Sequence, residues 1–257
     1  MTVLTARRGV EAGSSGPGCR LVRVLDADPD LAAFVPAGER PLARSASSAP
    51  LFTHARGPWR LVPRPDAASL GALILEGLVI VRVEVDNRAH LELLGEGDLV
   101  SPWIGMEPDP GLPTVVTSHV VGDLRLALLD RGFSVRMARW PEVYAALNQR
   151  LLARLRRLSL QSAIHALPRI EERVELTLWE LAYRFGQVTP RGHRLRLRFT
   201  HSQLAEMVAA QRPSVTTALA RLEANRRLVR ESKDEWLLRG APPSRLAGLG
   251  SMSGPGS

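Results

Sequence analysis

The chain has 257 residues, 45% apolar and 23% charged, a balance that supports a packed core. Its formal net charge is +8, and nearly all of its basic residues are arginine. The one cysteine, Cys19, excludes an intrachain disulfide framework and any four-cysteine zinc or iron–sulfur cluster. No run of roughly 18 apolar residues spans a bilayer, and no apolar signal region follows Arg7 and Arg8. A cytoplasmic protein with no membrane partner is expected.

Residues 1–20 contain Gly-Ser-Ser-Gly-Pro-Gly and read as a flexible tail. Between Leu21 and Ala49 one or two short helices are expected, with Asp28 as a cap and Pro29 in the first turn. From Trp59 to about Met137 the pattern has period two. Ala72–Glu76, Leu78–Val85 and Arg88–Leu94 are β-rich runs separated by Gly77, Asp86-Asn87 and Gly95, and Asp86-Asn87 is a hairpin signal. After the Pro-rich loop Met106–Pro113 come Val115–Ser118 and Leu124–Leu129. This spacing predicts a small antiparallel sandwich or barrel-like roll over residues 21–137.

Residues 138–167 hold a long helix, from Pro141 to about Ala166. Tyr144, Leu147, Leu151, Leu155 and Leu158 form one apolar stripe, with Arg150, Arg154, Arg156 and Arg157 on other faces. The helix is long enough to dimerise against a two-fold mate, while the stripe also fits coverage of the chain's own sheet. Pro168 then opens a helix from Arg169 to about Gln187, and Arg194–Phe199 alternates as a short strand. The last residues, 241–257, are Gly/Ser/Pro-rich and expected to be disordered.

The stretch 168–240 carries the chemistry. Between Arg191 and Arg230 stand nine arginines against Glu206 and Glu223, a local excess that suggests a polyanion partner. Thr200 can cap a helix His201–Ala210, with Gln203 as its capping-box partner. Leu204, Ala205 and Val208 form the buried side, and Ala205 is small enough for a steep helix crossing. After the turn Ala209–Gln211, Pro213 fits the first turn of a second helix, capped by Gln211 or Arg212, that buries Val215, Leu219 and Leu222. Its opposite face shows Arg212, Ser214, Thr216, Thr217, Ala220 and Arg221, with no acid before Glu223. Low bulk and hydrogen-bond donors are what entry into a major groove requires. Leu228–Glu231 and Trp236–Arg239 read as the two strands of a wing with Lys233 at its tip.

His201-Ser-Gln-Leu-Ala-Glu-Met-Val-Ala-Ala-Gln-Arg-Pro-Ser-Val-Thr-Thr-Ala-Leu-Ala-Arg-Leu-Glu223 resembles the DNA-binding domain of the Crp/Fnr superfamily of transcription regulators. The upstream order matches that family, and Leu94-Gly-Glu-Gly-Asp-Leu99 resembles the turn before its ligand loop. The resemblance implies an α+β fold: an N-terminal antiparallel β-roll of cyclic-nucleotide-binding type, a long dimerisation helix and a C-terminal winged helix-turn-helix. It implies a homodimer on double-stranded DNA, with RNA polymerase as a further partner. Thr200, Ser202, Gln211 and Ser214 would contact phosphates, and Arg212 would read a guanine. Gln203, Arg221 and Lys233 complete the candidate DNA-binding set. Where well-studied activators carry Glu and a second Arg, this chain has Pro213 and Thr217, so a different operator is expected, with Thr216 and Thr217 at thymine methyls or phosphates.

Cyclic-nucleotide-binding members surround the phosphate with a Gly-Glu-Leu segment and an Arg-Ser/Thr pair. Here the matching segments are Val100-Ser-Pro-Trp-Ile-Gly-Met106 and Pro113-Thr-Val-Val-Thr-Ser118, without that Glu or Arg, so cyclic AMP binding is not expected. Trp103 and Met106 fit either an apolar effector pocket or simple core. His90 and His119 are single histidines, and Cys19 alone excludes iron–sulfur sensing. No cofactor and no metal are expected, and any effector is unidentified. The alternative is a signalling protein whose winged helix binds protein; an enzyme is disfavoured because no phosphate loop, metal spacing or nucleophile motif is present.

Overall fold

The computed structural model describes residues 20–59, 69–86, 88–100, 114–197, 200–232 and 235–241. The Met106–Pro113 loop, Trp103, Cys19, Lys233 and both tails' sequence motifs lie outside them.

The chain opens with β1 (Leu21–Arg23), α1 (Val24–Ala27), α2 (Pro29–Ala33) and α3 (Arg40–Ala46), three short helices instead of one or two. Asp28 caps α2 by accepting from the Leu31 N–H, with Pro29 in the first turn. The roll follows as β2 (Ser48–His54), β3 (Gly57–Trp59), β4 (Gly71–Val85), β5 (Arg88–Leu94), β6 (Leu99–Val100) and β7 (Thr114–Leu129). Its sheet runs β1-β2-β7-β4-β5, with β3 also on β7 and β6 on β4, all antiparallel.

Period-two alternation divides the Val79–Val81 segment of β4 between two cores. Val79 and Val81 join Trp59, Leu94, Val120 and Leu126 inside the roll, while Ile80 joins Leu91 and Leu93 on the other face. Gly77 does not end the strand as expected. It adopts φ 95°, and a Cβ there would lie 2.1 Å from the Asp123 carbonyl oxygen. The register shifts on either side of Glu76, so the interruption is absorbed as a bulge and pairing continues to Val85. The expected break in β7 is bridged the same way, with Gly122 at φ 86°. Asp86 takes φ 47° at the hairpin, as its residue type allows.

Next come α4 (Arg131–Met137), α5 (Pro141–His165) and α6 (Ile170–Phe185). Helix α4 has only Phe133 and Met137 as buried residues, too short a pattern to read, yet Asp130 caps it through the Phe133 N–H at 2.7 Å. The stripe of α5 divides. Leu147 is buried, together with Val143 and Ala146 beside the stripe, against Phe133, Met137 and the roll, whereas Leu155 is 59% exposed and its neighbour Leu152 54%. Helix α6 stops at Phe185 because Gly186 starts β8 (Gly186–Thr189), which hairpins with β9 (Gly192–Leu195). Then follow α7 (His201–Met207), α8 (Arg212–Ala224), β10 (Leu228–Ser232) and β11 (Glu235–Leu238), giving a second sheet ordered β10-β11-β9-β8.

Arginines of α5 and α6 fasten the roll to these helices. Arg154 Nε and Nη2 donate to both Glu92 oxygens at 2.8 and 2.7 Å, and Nη1 donates to the Leu99 carbonyl at 3.2 Å. Asp98 accepts from the Gly95 N–H at 2.9 Å, from Arg157, and from Arg184 of α6 at 2.7 Å. Arg150 grips Asp28 with two nitrogens. Burial pushes the Glu180 carboxyl upward, opposed by Arg184 and Arg157. Burial likewise pulls the Arg184 guanidinium down, opposed by Asp98 and Glu180. Gly95 permits the approach, since a Cβ there would meet the Phe185 ring at 2.4 Å.

The side chains of Arg154 and Glu92 retain only 7% and 10% exposure, so each needs the other. Arg154→Ala is expected to cost about 3–5 kcal/mol in urea unfolding, because it strands a buried carboxylate. The double change Arg154→Met with Glu92→Leu is expected to recover most of that loss.

Candidate nucleic-acid interface

Two short helices meet at a small residue. Thr200 and Gln203 form the capping box of α7: the Gln203 N–H donates to Thr200 Oγ1 at 3.1 Å, and the Thr200 N–H donates to Gln203 Oε1 at 2.9 Å. Such a cap contributes about 1 kcal/mol. Ala205 is buried along with Leu204 and Val208 of the first helix and Val215, Leu219 and Leu222 of the second. Helix α7 ends at Met207, three residues before the expected end, because Ala209 adopts φ 50° and turns the chain. The Ala210 N–H then returns to the Ala205 carbonyl at 2.9 Å. Helix α8 starts at Arg212 behind Gln211, which makes no side-chain cap bond, and Pro213 sits in the first turn. At its far end Arg226 takes φ 57° and the Arg227 N–H reaches the Leu222 carbonyl at 3.0 Å, a Schellman closure.

Most of the candidate residues are exposed to solvent. Thr200, Ser202, Gln211, Arg212, Thr216, Thr217 and Arg221 are exposed, and Gln203 and Ser214 are half-buried. Lys233 lies outside the described residues. The Gln203 side-chain oxygen is spent on the cap, and Thr216 and Thr217 hydroxyls bond to their own helix, at 3.0 Å to the Arg212 carbonyl and 3.2 Å to the Pro213 carbonyl. His201, absent from the sequence-based set, places Nδ1 2.9 Å from Thr216 Oγ1. Only the fold brings position 201 against position 216.

Ion pairs redistribute the arginine excess. Arg191 and Arg194 reach Glu231, and Arg194 and Arg196 reach Glu235 at 2.9 and 3.4 Å. Arg227 holds Glu175 at 2.6 Å, and Arg221 lies 4.0 Å from Glu171. Burial pushes the Glu175 carboxyl upward, with Arg227 acting against it. Four carboxylates outside α7 and α8 therefore neutralise much of the cluster. Among the described residues, Arg212 and Arg226 have no carboxylate within ion-pair distance. Arg212 is the one at the leading end of α8.

The helix-turn-helix also rests on the roll. Leu204, Met207 and Val208 share an apolar cluster with Ile80, Leu91 and Leu93. Glu206 accepts from Arg82 Nε at 3.0 Å, and His165 Nε2 lies 2.7 Å from the Met207 carbonyl. His90 packs edge-on to His165 at 5.4 Å between ring centres, so it faces another histidine, while His119 is exposed. The described residues hold no group of three or more metal-ligating side chains and no helix long and apolar enough to cross a membrane. A cavity of about 300 Å³ lies at the arginine junction, lined by Asp30, Glu96, Gly97, Arg150, Arg157 and Arg184. Each of these arginines is already held by a carboxylate.

Residues 172–238 match the Crp-like helix-turn-helix domain family. The whole fold is similar to that of a cyclic nucleotide-binding domain containing protein from Listeria monocytogenes EGD-e, at 18% identity and TM-score 0.62 over 82% of this chain and 96% of that one. It is similar to a CooA variant from Carboxydothermus hydrogenoformans, at 16% identity and TM-score 0.60 over 85% and 91%. It also resembles a CRP/FNR family transcriptional regulator from Thermus thermophilus, TTHA1359, at 21% identity and TM-score 0.54 over 74% and 93%. No curated protein matches the sequence. The α+β arrangement of roll, long helix and winged helix-turn-helix expected from the sequence is present.

The left-handed turn between α7 and α8 is occupied by alanine, where glycine carries no Cβ penalty. Ala209→Gly is expected to raise the unfolding free energy by about 0.5–1 kcal/mol, read from the denaturation midpoint at constant slope. A loss of stability would contradict the left-handed assignment.

Proposed function

We propose that this chain, which carries a Crp-like helix-turn-helix on a Crp/Fnr-type fold, is a sequence-specific double-stranded-DNA-binding transcription regulator. One observation carries the reading: α8 presents an exposed, acid-free face led by Arg212, whose guanidinium has no carboxylate within ion-pair distance among the described residues. A fork of donors at a helix N-terminus suits bidentate contact with guanine O6 and N7. Thr200, Ser202, Gln211 and Ser214 flank it and take the phosphates, with Arg221 and the wing residue Lys233 extending the contact. Pro213 and Thr217 give the helix a different code from that of Glu- and Arg-bearing relatives.

The regulator acts as a homodimer. Exposure of Leu155 in the stripe and of Leu152 beside it, on a 25-residue helix, supports this, because the two leucines have no cover among the described residues. Cyclic AMP is not its effector. The segment Thr114–Ser118 brings no arginine to a phosphate, and Arg150, Arg157 and Arg184 are committed to Asp28 and Asp98.

Arg212→Ala is expected to abolish selectivity in gel-shift competition while leaving weak, salt-dependent binding. Unchanged selectivity would contradict the proposal. Light scattering at micromolar concentration is expected to give the mass of a dimer, and the operator to be a palindrome with half-sites about one helical turn apart. A monomeric mass would contradict the dimer.

A further inference from the structure

We infer that α8 reads thymine through the methyl groups of Thr216 and Thr217, and that His201 is the positioning residue that holds Thr216 in the reading rotamer. The inference rests on the proposed DNA-binding role of α8 and names what that face recognises beside the guanine.

A threonine hydroxyl has a single proton to donate. In Thr216 it points to the Arg212 carbonyl at 3.0 Å, and in Thr217 to the Pro213 carbonyl at 3.2 Å, each one turn back. His201 Nδ1, 2.9 Å from Thr216 Oγ1, donates to that oxygen in the tautomer that carries the proton on Nδ1, and so occupies a lone pair as well. Neither hydroxyl can donate to guanine or to thymine O4 without surrendering a bond within its own helix. Each oxygen keeps only acceptor capacity, which the major-groove edges of guanine and thymine, having no N–H donor, cannot use; toward those bases each side chain offers its γ-methyl, and both residues are exposed. Pro213 and Ala220, also exposed, add no donor to this face. The base feature that matches an apolar group in the major groove is the thymine C5-methyl.

The histidine has a defined part in this. Threonine in a helix divides between two χ1 rotamers, because its oxygen can bond to the carbonyl of the preceding turn. A donor from α7 on the same oxygen selects one of them. His201 thereby fixes the side on which Thr216 presents its methyl, without itself touching a base.

The test uses the full-length protein and an operator selected by it from random duplexes, with each thymine replaced in turn by deoxyuridine, which lacks the methyl. Wild-type protein is expected to bind about fourfold more weakly at the thymines beside the Arg212 guanine, the factor for one lost buried methyl. Thr216→Val, which keeps the methyl and removes the hydroxyl, is expected to retain the penalty at its position, and Thr216→Ser to lose it. His201→Ala is expected to shrink the same penalty while leaving the salt dependence unchanged. Equal binding of thymine and deoxyuridine throughout by the wild-type protein would overturn the inference, and so would a serine variant that keeps the penalty while the valine variant loses it. The deoxyuridine substitutions need no protein variant, so misfolding cannot mimic that result. Selection of an operator with no deoxyuridine effect overturns only this inference; enrichment of no duplex at all overturns the DNA-binding proposal and this inference with it.

Discussion

Asp98 is the pin of this molecule. Its carboxylate closes the Gly95–Asp98 turn through the Gly95 N–H and receives Arg157 from α5 and Arg184 from α6, so three elements meet at one buried group. A carboxylate out of water is costly unless it is paired and hydrogen-bonded, and Asp98 is both. The bidentate Glu92–Arg154 pair repeats the device one turn of α5 earlier, and Asp28–Arg150 repeats it again. The spacing of Arg150, Arg154 and Arg157 places all three on the helix face toward the roll.

From that pin the helix-turn-helix inherits its position. Arg184 also donates to the Leu93 carbonyl, and the Phe185 ring sits where a Cβ on Gly95 would stand. The apolar seam of Ile80, Leu91 and Leu93 with Leu204, Met207 and Val208 then makes the roll's outer face part of the helix-turn-helix core. Roll and helix-turn-helix are thus joined by one continuous apolar cluster with ion pairs at its edge, Arg82 with Glu206 among them.

Local signals were legible in the sequence and long-range ones were not. The Thr200–Gln203 capping box, the small Ala205 and the Pro213 start of α8 depend on residues within a few positions of one another, and each is where its pattern places it. Gly77 misled because a glycine signals a departure from regular backbone, and only the neighbouring strand decides between a break and a bulge. The arginine count between Arg191 and Arg230 overstated the free charge. Glu171 and Glu175 lie upstream in α6, Glu231 and Glu235 lie downstream in the wing strands, and all four return to that cluster in space. The arginines of α5 were placed only on faces other than the apolar stripe, with no sign of their partners; Arg150, Arg154 and Arg157 hold Asp28, Glu92 and Asp98. His201 carried no signal at all, since its meaning comes from a partner fifteen positions away.

At the leading end of α8 this leaves Arg212, without a carboxylate partner among the described residues, followed by the methyl-bearing Thr216 and Thr217. The central claim is that this surface reads a defined DNA sequence, and selection from a random duplex library followed by sequencing tests it most directly. The account predicts enrichment of a palindrome whose half-sites each contain a guanine. An unenriched library, or an enriched sequence without two-fold symmetry, would contradict it.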